Sequence, residues 1–134
     1  SSMSIKSSQT LVEEAQKKIQ TLSPNEVKNL VEQKEITLID VRDIRELWKE
    51  GTIENSVHIP RGMLEFWLDP ESTYYKANKI QDNKKMVLYC ALGLRSALAT
   101  KSLVEMGFQN VAHVDGGFEA LKKSGFKIIN KQKK

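Results

Sequence analysis

The chain has one cysteine, Cys90, and an arginine, Arg95, follows it closely. A thiol is mostly protonated near neutral pH because its ordinary pKa is about 8.5, whereas nucleophilic sulfur chemistry needs the thiolate. A loop that opens a helix, turns its amides inward at a glycine and carries a guanidinium group favours an anion. This pattern predicts that Cys90 is a nucleophile. The same pattern predicts that the substrate binds to the loop residues that follow Cys90: Ala91, Leu92, Gly93, Leu94, Arg95 and Ser96.

Position alone favours a different interpretation of Cys90, since a lone cysteine at the end of an apolar strand is more often a small buried hydrophobic residue. The glycine, the arginine and the helix start that follow it reverse this preference. His58 and His113 are interpreted as packed or locally hydrogen-bonded residues, because a thiol that its loop ionises needs no general base. One cysteine permits no intramolecular disulfide and no cysteine-based metal cluster, so we predict no metal site and a reducing compartment.

Strands and helices alternate along the chain. Strands are predicted at 36–41, 57–60, 86–90 and 111–114, and helices at 8–20, 24–33, between Asp43 and Gly51, at 96–106 and at 118–124. This alternation predicts an α/β fold with a mostly parallel central sheet of about five strands and helices on both faces. In such sheets ligands bind beyond the carboxyl ends of the strands, which is where Cys90 stands.

Polar residues follow the other predicted strands as well. Asp40 and Arg42 are expected beside the site, where a carboxylate and a guanidinium can tie its loops together. Arg61 either presents a second positive charge to an anionic substrate or forms a surface salt bridge, and the sequence leaves both open. The glycines Gly116 and Gly117 predict a tight turn beneath the loop rather than a phosphate site.

The composition is that of one globular domain, with 134 residues, 40% hydrophobic and 28% charged, and a formal net charge of +4. We divide it into an N-terminal helical extension (1–20), a main domain (21–129) and a basic tail (130–134), and treat Ser1 and Ser2 as candidate cloning residues. No apolar run approaches the roughly 20 residues of a membrane span, and the start lacks an apolar signal region. The terminal lysines are not interleaved with aromatic residues. We therefore expect no nucleic-acid partner, no membrane partner and a cytoplasmic location.

The segment 62–80 is rich in aromatic residues and is predicted to be a short helix followed by a long ordered loop. Its aromatic side chains are Phe66, Trp67, Tyr74 and Tyr75. We expect them to cover the core; a surface that binds a partner is the alternative.

Four segments, in order and at suitable spacing, resemble the rhodanese-like domain family over roughly residues 22–126. They are 38–42 followed by Glu46, 50–53 with 55–60, the loop 90–96, and 115–118. Thr52 and Leu121 stand where histidine and tryptophan are common, and both are interpreted as packing variation. The segment 61–70 resembles an insertion of one bacterial subgroup and is expected near the mouth of the site.

The resemblance implies a single-domain sulfurtransferase. In that mechanism the Cys90 thiolate takes the outer sulfur of thiosulfate or a persulfide donor and holds it as a persulfide. A thiophilic acceptor, such as cyanide, a thiol or a partner protein, then removes the sulfur. This is ping-pong covalent catalysis without a metal or organic cofactor. Arg95 is the only charge in the loop, which is less cationic than in some thiosulfate-using members and argues against thiosulfate as the physiological donor.

Two other functions stay open. Dual-specificity phosphatases and arsenate reductases of similar fold also use a cysteine–arginine loop. Here four residues separate Cys90 from Arg95, and phosphatase loops of this kind are one residue longer, so a tetrahedral anion is expected to fit poorly. Rhodanese-like domains that have lost the cysteine serve as non-catalytic interaction modules, whereas Cys90 is present here.

Overall fold

The computed structural model describes residues 4–81 and 83–133. Its strands are β1 (Gln20–Leu22), β2 (Ile36–Asp40), β3 (Thr52–Ile53), β4 (Val57–His58), β5 (Lys85–Tyr89), β6 (Val111–Val114) and β7 (Ile128–Ile129). Its α-helices are α1 (Ser8–Gln16), α2 (Pro24–Glu32), α3 (Ile44–Glu50), α4 (Leu64–Leu68), α5 (Leu94–Met106) and α6 (Gly117–Lys123). A 3₁₀ turn at Arg61–Met63 precedes α4.

The central sheet has five strands in the order β1-β6-β5-β2-β4, and every neighbouring pair is parallel. The predicted fold class is therefore confirmed. Strand β5 is central: Leu88 pairs with Ile39 of β2 on one side and with His113 of β6 on the other. The carboxyl ends of β5, β2 and β6 consequently lie together at one edge of the sheet.

Successive side chains of β5 point to opposite faces of the sheet, and a separate hydrophobic cluster lies on each face. Leu88 and Cys90 belong to the cluster that includes Leu64 of α4 and Leu103 of α5. Tyr89 belongs to the opposite cluster, with residues of α2 and α6. A two-residue side-chain period in a strand buried on both faces produces this division. Cys90 therefore points to the face that α5 covers.

Three elements differ from the sequence-based expectation. The helix predicted over 8–20 ends at Gln16, because residues 20–22 form β1 and pair with β6. The predicted boundary between extension and domain thus falls beside the first residue of β1. Strands β3 and β7 form a separate antiparallel pair that the sequence did not suggest. Helix α5 begins at Leu94, two residues earlier than expected.

Within the described part of the chain, no helix is both long enough and apolar enough to span a membrane. Helix α1, the predicted N-terminal extension, packs against α5, and Val12 and Ala15 are buried there with Ala97. Ser1, Ser2 and the last residue of the predicted basic tail, Lys134, lie outside the described residues.

Candidate active site

Cys90 directly follows β5, and its sulfur is surrounded by hydrogen-bond donors. The backbone N–H of Gly93 donates to Sγ over 3.1 Å, and the N–H of Ser96 donates over 3.3 Å. Two amides that converge on one sulfur form a nest for a negative charge. The residue is 1% exposed, so a reaction partner must bring a slender group to the sulfur.

Gly93 makes the sharp turn between β5 and α5 possible. Its φ of 104° lies in the left-handed region, and it occupies the N-cap position of α5. The connecting loop is therefore only residues 90–93, and the predicted loop residues Leu94, Arg95 and Ser96 form the first turn of α5. The positive end of a 13-residue helix consequently faces the sulfur and favours a thiolate.

The start of α6 supports the loop from beneath. The N–H of Phe118 donates to the Cys90 carbonyl oxygen over 2.7 Å, and the N–H of Glu119 donates to that of Ala91 over 3.3 Å. Gly117 has a φ of +60°, and a Cβ there would lie 2.5 Å from the Cys90 carbonyl oxygen. Only glycine permits this approach of the two backbones, so the Gly116–Gly117 turn sets the position of the nucleophile.

Arg95 is paired with Glu46 of α3. Its Nη1 and Nη2 donate to the two carboxylate oxygens over 2.8 and 3.0 Å. These hydrogen bonds lower the pKa of Glu46 and raise the pKa of Arg95. The sequence predicts that Arg95 is a cation for the substrate. In the structure, Glu46 accepts a hydrogen bond from each of the two terminal nitrogens of the Arg95 guanidinium.

The contact of Glu46 with Arg95 was not predicted from the sequence. It also closes a capping box at the start of α3, where its Oε2 accepts the N–H of Asp43. The spacing of Asp43 and Glu46 is the usual signal for such a box. That signal predicts the cap but carries no information about the partner on α5.

Asp40 and Arg42 form a fully buried ion pair at the end of β2. Arg42 Nη2 donates to Asp40 Oδ2 over 2.9 Å and to the Gly51 carbonyl oxygen over 2.7 Å, and its guanidinium lies 4.0 Å from the centre of the Phe118 ring. Burial opposes the charge of Arg42, but its hydrogen bonds to Asp40 and the negative charges of Asp40 and other acidic groups nearby together outweigh this and raise its pKa. The pair ties β2, α3 and α6 together, and its groups are saturated by protein partners.

A polar cluster extends from Asp40 across the sheet. The Thr52 hydroxyl donates to Asp40 Oδ2 over 2.8 Å and lies 2.9 Å from the Tyr89 hydroxyl, which Ser56 Oγ also approaches to 2.9 Å. Burial and the charge of Asp40 raise the pKa of Tyr89. Thr52, interpreted from sequence as packing variation, therefore satisfies buried polar groups. Leu121, the other departure, is fully buried in the core.

Arg61 lies just beyond β4, with β2 between that strand and β5. Its Nη1 contacts both carboxylate oxygens of Glu65 at 3.0 Å. Of the two roles that the sequence left open, this geometry is that of the salt bridge.

The two histidines differ in their surroundings. His58 Nε2 lies 2.7 Å from the Arg42 carbonyl oxygen, away from the nucleophile. His113 is buried on β6 and contacts Ser96, the residue whose N–H binds the Cys90 sulfur. Among residues 4–81 and 83–133 no group of three histidine, cysteine or acidic side chains is arranged to bind a metal ion.

The outer rim of the site is apolar. Leu92 lies in the loop and Leu94 is the first residue of α5, and the two are 64% and 59% exposed. In the segment 62–80, Trp67 packs against the core cluster of α4 and α5, with the Lys76 ammonium 4.0 Å from its ring centre. Phe66 and Tyr74 contact each other edge to face on the surface. This segment thus covers the core through Trp67 and exposes the other aromatic rings.

The model of the rhodanese-like domain matches residues 23–124, which include every site residue described above.

Two relatives illustrate how this domain is used. The thiosulfate sulfurtransferase GlpE of Coxiella burnetii is 33% identical over 101 residues, or 75% of this chain and 85% of that protein. A tRNA uridine(34) hydroxylase of Hamiltonella defensa is 33% identical over 98 residues. The chain spans 26% of the hydroxylase and 62% of a mouse thiosulfate sulfurtransferase/rhodanese-like protein.

Two solved structures are similar over nearly the whole chain. A Rhodopseudomonas palustris protein of unknown function, described as a possible tyrosine phosphatase, has a TM-score of 0.87 and 41% identity, covering 95% of this chain and 98% of that one. The polysulfide-sulfur transferase homodimer of Wolinella succinogenes has a TM-score of 0.71 and 33% identity, covering 92% of this chain and 87% of that one.

Proposed function

The chain belongs to the rhodanese-like domain family, and we propose that it is a sulfurtransferase that carries sulfane sulfur as a persulfide on Cys90. Sulfurtransferase names among its relatives support this activity at the level of the family. The observation that carries the proposal is the pair of N–H groups, from Gly93 and Ser96, that converge on the Cys90 sulfur.

The reaction follows from this geometry. The Cys90 thiolate attacks the outer sulfur of a donor R–S–SH, a new S–S bond forms at Cys90, and the bond to the donor's inner sulfur breaks. The donor leaves as a thiolate, which takes the electron pair of the broken bond. The proton of the transferred sulfur passes to the departing thiolate, so the terminal sulfur of the persulfide is anionic, and the amides around Cys90 together with the start of α5 stabilise it. An acceptor thiol or cyanide then attacks that sulfur and frees the Cys90 thiolate.

The charges around the site favour a persulfide or polysulfide donor over thiosulfate. All four arginines of the chain, Arg42, Arg45, Arg61 and Arg95, pair with carboxylates. Thiosulfate is a dianion that needs cationic partners for its sulfonate end. A sulfane chain with an apolar or peptide-like body instead suits the rim made by Leu92 and Leu94. The name of the Wolinella succinogenes relative, a polysulfide-sulfur transferase, agrees with this choice.

The acceptor in this proposal is a thiol, either a small molecule or a cysteine of a partner protein. Cys90 is the chain's only cysteine, so the thiol that resolves its persulfide belongs to another molecule. Such exchange requires a reducing compartment, for which we propose the cytoplasm.

A donor comparison tests the function. The protein is mixed with cyanide and either glutathione persulfide, inorganic polysulfide or thiosulfate, and thiocyanate is measured. We expect turnover with all three, higher kcat/KM for the persulfide and polysulfide, and no turnover by Cys90→Ser. Equal turnover by Cys90→Ser would contradict the mechanism, and a clear preference for thiosulfate would contradict the donor class.

A cysteine-dependent phosphatase is the second candidate, because the most extensive structural similarity described above is to a possible tyrosine phosphatase. A phosphate needs the donor fork of Arg95, and Glu46 occupies both of its ends. We therefore expect no hydrolysis of an aryl phosphate. Hydrolysis that Cys90→Ser abolishes, without thiocyanate formation, would establish the phosphatase instead. A protein active in neither assay would be a binding module.

A further inference from the structure

His113 links the nucleophile to the edge of the sheet. Its Nδ1 lies 3.0 Å from Ser96 Oγ, and its Nε2 lies 3.0 Å from Thr21 Oγ1. Ser96 Oγ in turn lies 3.5 Å from Cys90 Sγ. Thr21 is on the edge strand β1 and is exposed, whereas Cys90, Ser96 and His113 are buried. A continuous row of hydrogen-bonding groups therefore runs from the buried sulfur to solvent.

The chemistry of these groups permits the passage of a proton. A neutral imidazole has one N–H donor and one acceptor nitrogen, and it can accept a proton at one nitrogen while it releases one from the other. Serine and threonine hydroxyls both donate and accept. Burial of a histidine is costly unless its ring nitrogens are bonded, and here both are. Each member of the row can thus exchange roles with its neighbour.

We propose, on the basis of the proposed function, that His113 is a positioning residue that takes the Cys90 proton through Ser96 and releases it to solvent at Thr21. The S–H bond breaks as its proton moves to Ser96 Oγ, while the hydroxyl proton of Ser96 moves to His113 Nδ1. The Nε2 proton then passes to Thr21 Oγ1, whose own proton goes to water. No electrons leave the protein, and the products are a thiolate and a neutral ring in its other tautomer.

The charges near the row are compatible with this role. Burial lowers the pKa of His113, and Asp115, an exposed residue just beyond β6, opposes that shift. The ring is therefore neutral at neutral pH and able to accept a proton. From α5 the charge of Arg95 acts on Cys90, and Glu46 of α3 partly compensates it. From β1 the ring is faced by the uncharged Thr21.

Alkylation by iodoacetamide measures thiolate at Cys90 and needs no sulfur donor, so it separates the relay from the proposed function. The rate is followed from about pH 6 to about pH 10, a range that spans the ordinary thiol pKa. His113→Asn keeps a hydrogen-bonding partner for Ser96 but cannot take up a proton. In the products of the relay, the Ser96 hydroxyl donates to the thiolate and His113 Nδ1–H donates to Ser96 Oγ, so the proton shift in the ring also stabilises the charged sulfur. Because His113→Asn cannot make this shift, we expect it to slow alkylation at pH 7 by about threefold or more, which equals a rise of about half a unit in the Cys90 pKa, with rates equal to wild type at high pH.

Thr21→Val supplies a second test at an exposed position, and it keeps the His113 ring itself. We expect a smaller slowing at pH 7 and the same convergence at high pH. Thr100→Val is the matched control: the Thr100 hydroxyl is buried and without a hydrogen-bond partner, so its profile should equal that of wild type.

Slowing of His113→Asn by one constant factor at every pH would show a structural role only and overturn the proposal. A profile of His113→Asn or Thr21→Val that matches wild type would overturn it too. If alkylation behaves as expected but no sulfur is loaded, the relay stands and the proposed function fails.

Discussion

At the scale of single residues, Glu46 limits the positive charge that the site presents to a substrate, because it pairs with Arg95. Arg95 is the guanidinium nearest in sequence to the nucleophile, and Glu46 binds both of its terminal nitrogens. The pair is partly exposed, with 42% and 29% of the two side chains accessible. An ion pair of this kind contributes about 0.2–1 kcal/mol, so a substrate anion could compete for Arg95 if Glu46 lost its charge.

Glu46→Gln should therefore improve the use of thiosulfate. The amide oxygen can still accept the N–H of Asp43 that caps α3, while the charge that holds Arg95 is removed. We expect kcat/KM for thiosulfate to rise about two- to fivefold, with less change for glutathione persulfide, which has no sulfonate end for Arg95 to bind. Steady-state kinetics with cyanide as acceptor measures both values.

Glu65→Gln is the control for this change, because Glu65 pairs in the same way with Arg61. It should leave both donors unaffected. A fall in thiosulfate use by Glu46→Gln, with unfolding midpoint unchanged, would mean that Glu46 holds Arg95 in its productive position.

At the scale of elements, the start of α6 sets the position of the loop after β5. The backbone of Gly117 is packed against the carbonyl oxygens of Cys90 and Ala91, and its φ is +60°. Glycine is therefore required at this position for two reasons: the backbone is left-handed, and another backbone approaches it closely. Gly107, at the end of α5, has a φ of +107°, but a Cβ added there would have nothing within 4 Å, so only the left-handed backbone favours glycine at that position.

Gly117→Ala should cost more than Gly107→Ala in both stability and activity. The left-handed conformation costs a non-glycine residue about 1–2 kcal/mol at either position. The contact with the loop adds about 1–3 kcal/mol at Gly117 only, and it should displace Cys90 and reduce sulfur transfer strongly. Urea unfolding and thiocyanate formation measure the two effects. Equal losses of stability with full activity in Gly117→Ala would contradict the role given to this turn.

Local patterns predicted most of the elements that build the site. The apolar run before Cys90 predicted β5 within one residue, the helix predicted over 24–33 begins where α2 begins, and the glycines predicted the turn below the loop. The parallel sheet followed from the order of these elements. These features are encoded in short segments, which is why the sequence alone suffices for them.

Features that depend on distant partners were not predictable in the same way. Residue 20 was predicted to end a helix, and residues 20–22 form a strand because they pair with β6, which lies far away in sequence. Arg95 and Glu46 are 49 positions apart, and Thr21 and His113 are 92 positions apart. Neither contact leaves a local signature, so the sequence predicted neither the Glu46 partner of Arg95 nor the Thr21 partner of His113.

At the scale of the whole molecule, the folded chain binds protons differently from the unfolded chain. Burial lowers the pKa of His113 from its ordinary 6.5. Hydrogen bonds from Arg95 lower the pKa of Glu46, and those from Arg45 lower the pKa of Asp43 to about 2. The unfolded chain thus takes up a proton at His113 before the folded one, which destabilises the fold as the pH drops below 6.5. The carboxylates stabilise the fold above their ordinary pKa values, and that contribution is lost as the pH falls through their lowered ones.

We therefore expect the free energy of unfolding to decline in two stages on acidification, first below the ordinary pKa of histidine and then below those of the carboxylates. His113→Asn should flatten the first stage and leave the second. Asp43→Asn is the control and should keep the first stage while it reduces the second. Urea denaturation at a series of pH values gives these curves. A first stage of unchanged slope in His113→Asn would contradict the assignment.

The mass of the intact protein after exposure to a sulfur donor tests the central claim most directly. A persulfide on Cys90 adds one sulfur atom, and cyanide removes it. The account predicts that wild-type protein gains this mass from glutathione persulfide or polysulfide, loses it on treatment with cyanide, and that Cys90→Ser gains nothing. A wild-type protein that stays at its original mass with every donor, or a Cys90→Ser variant that gains the same mass, would contradict it.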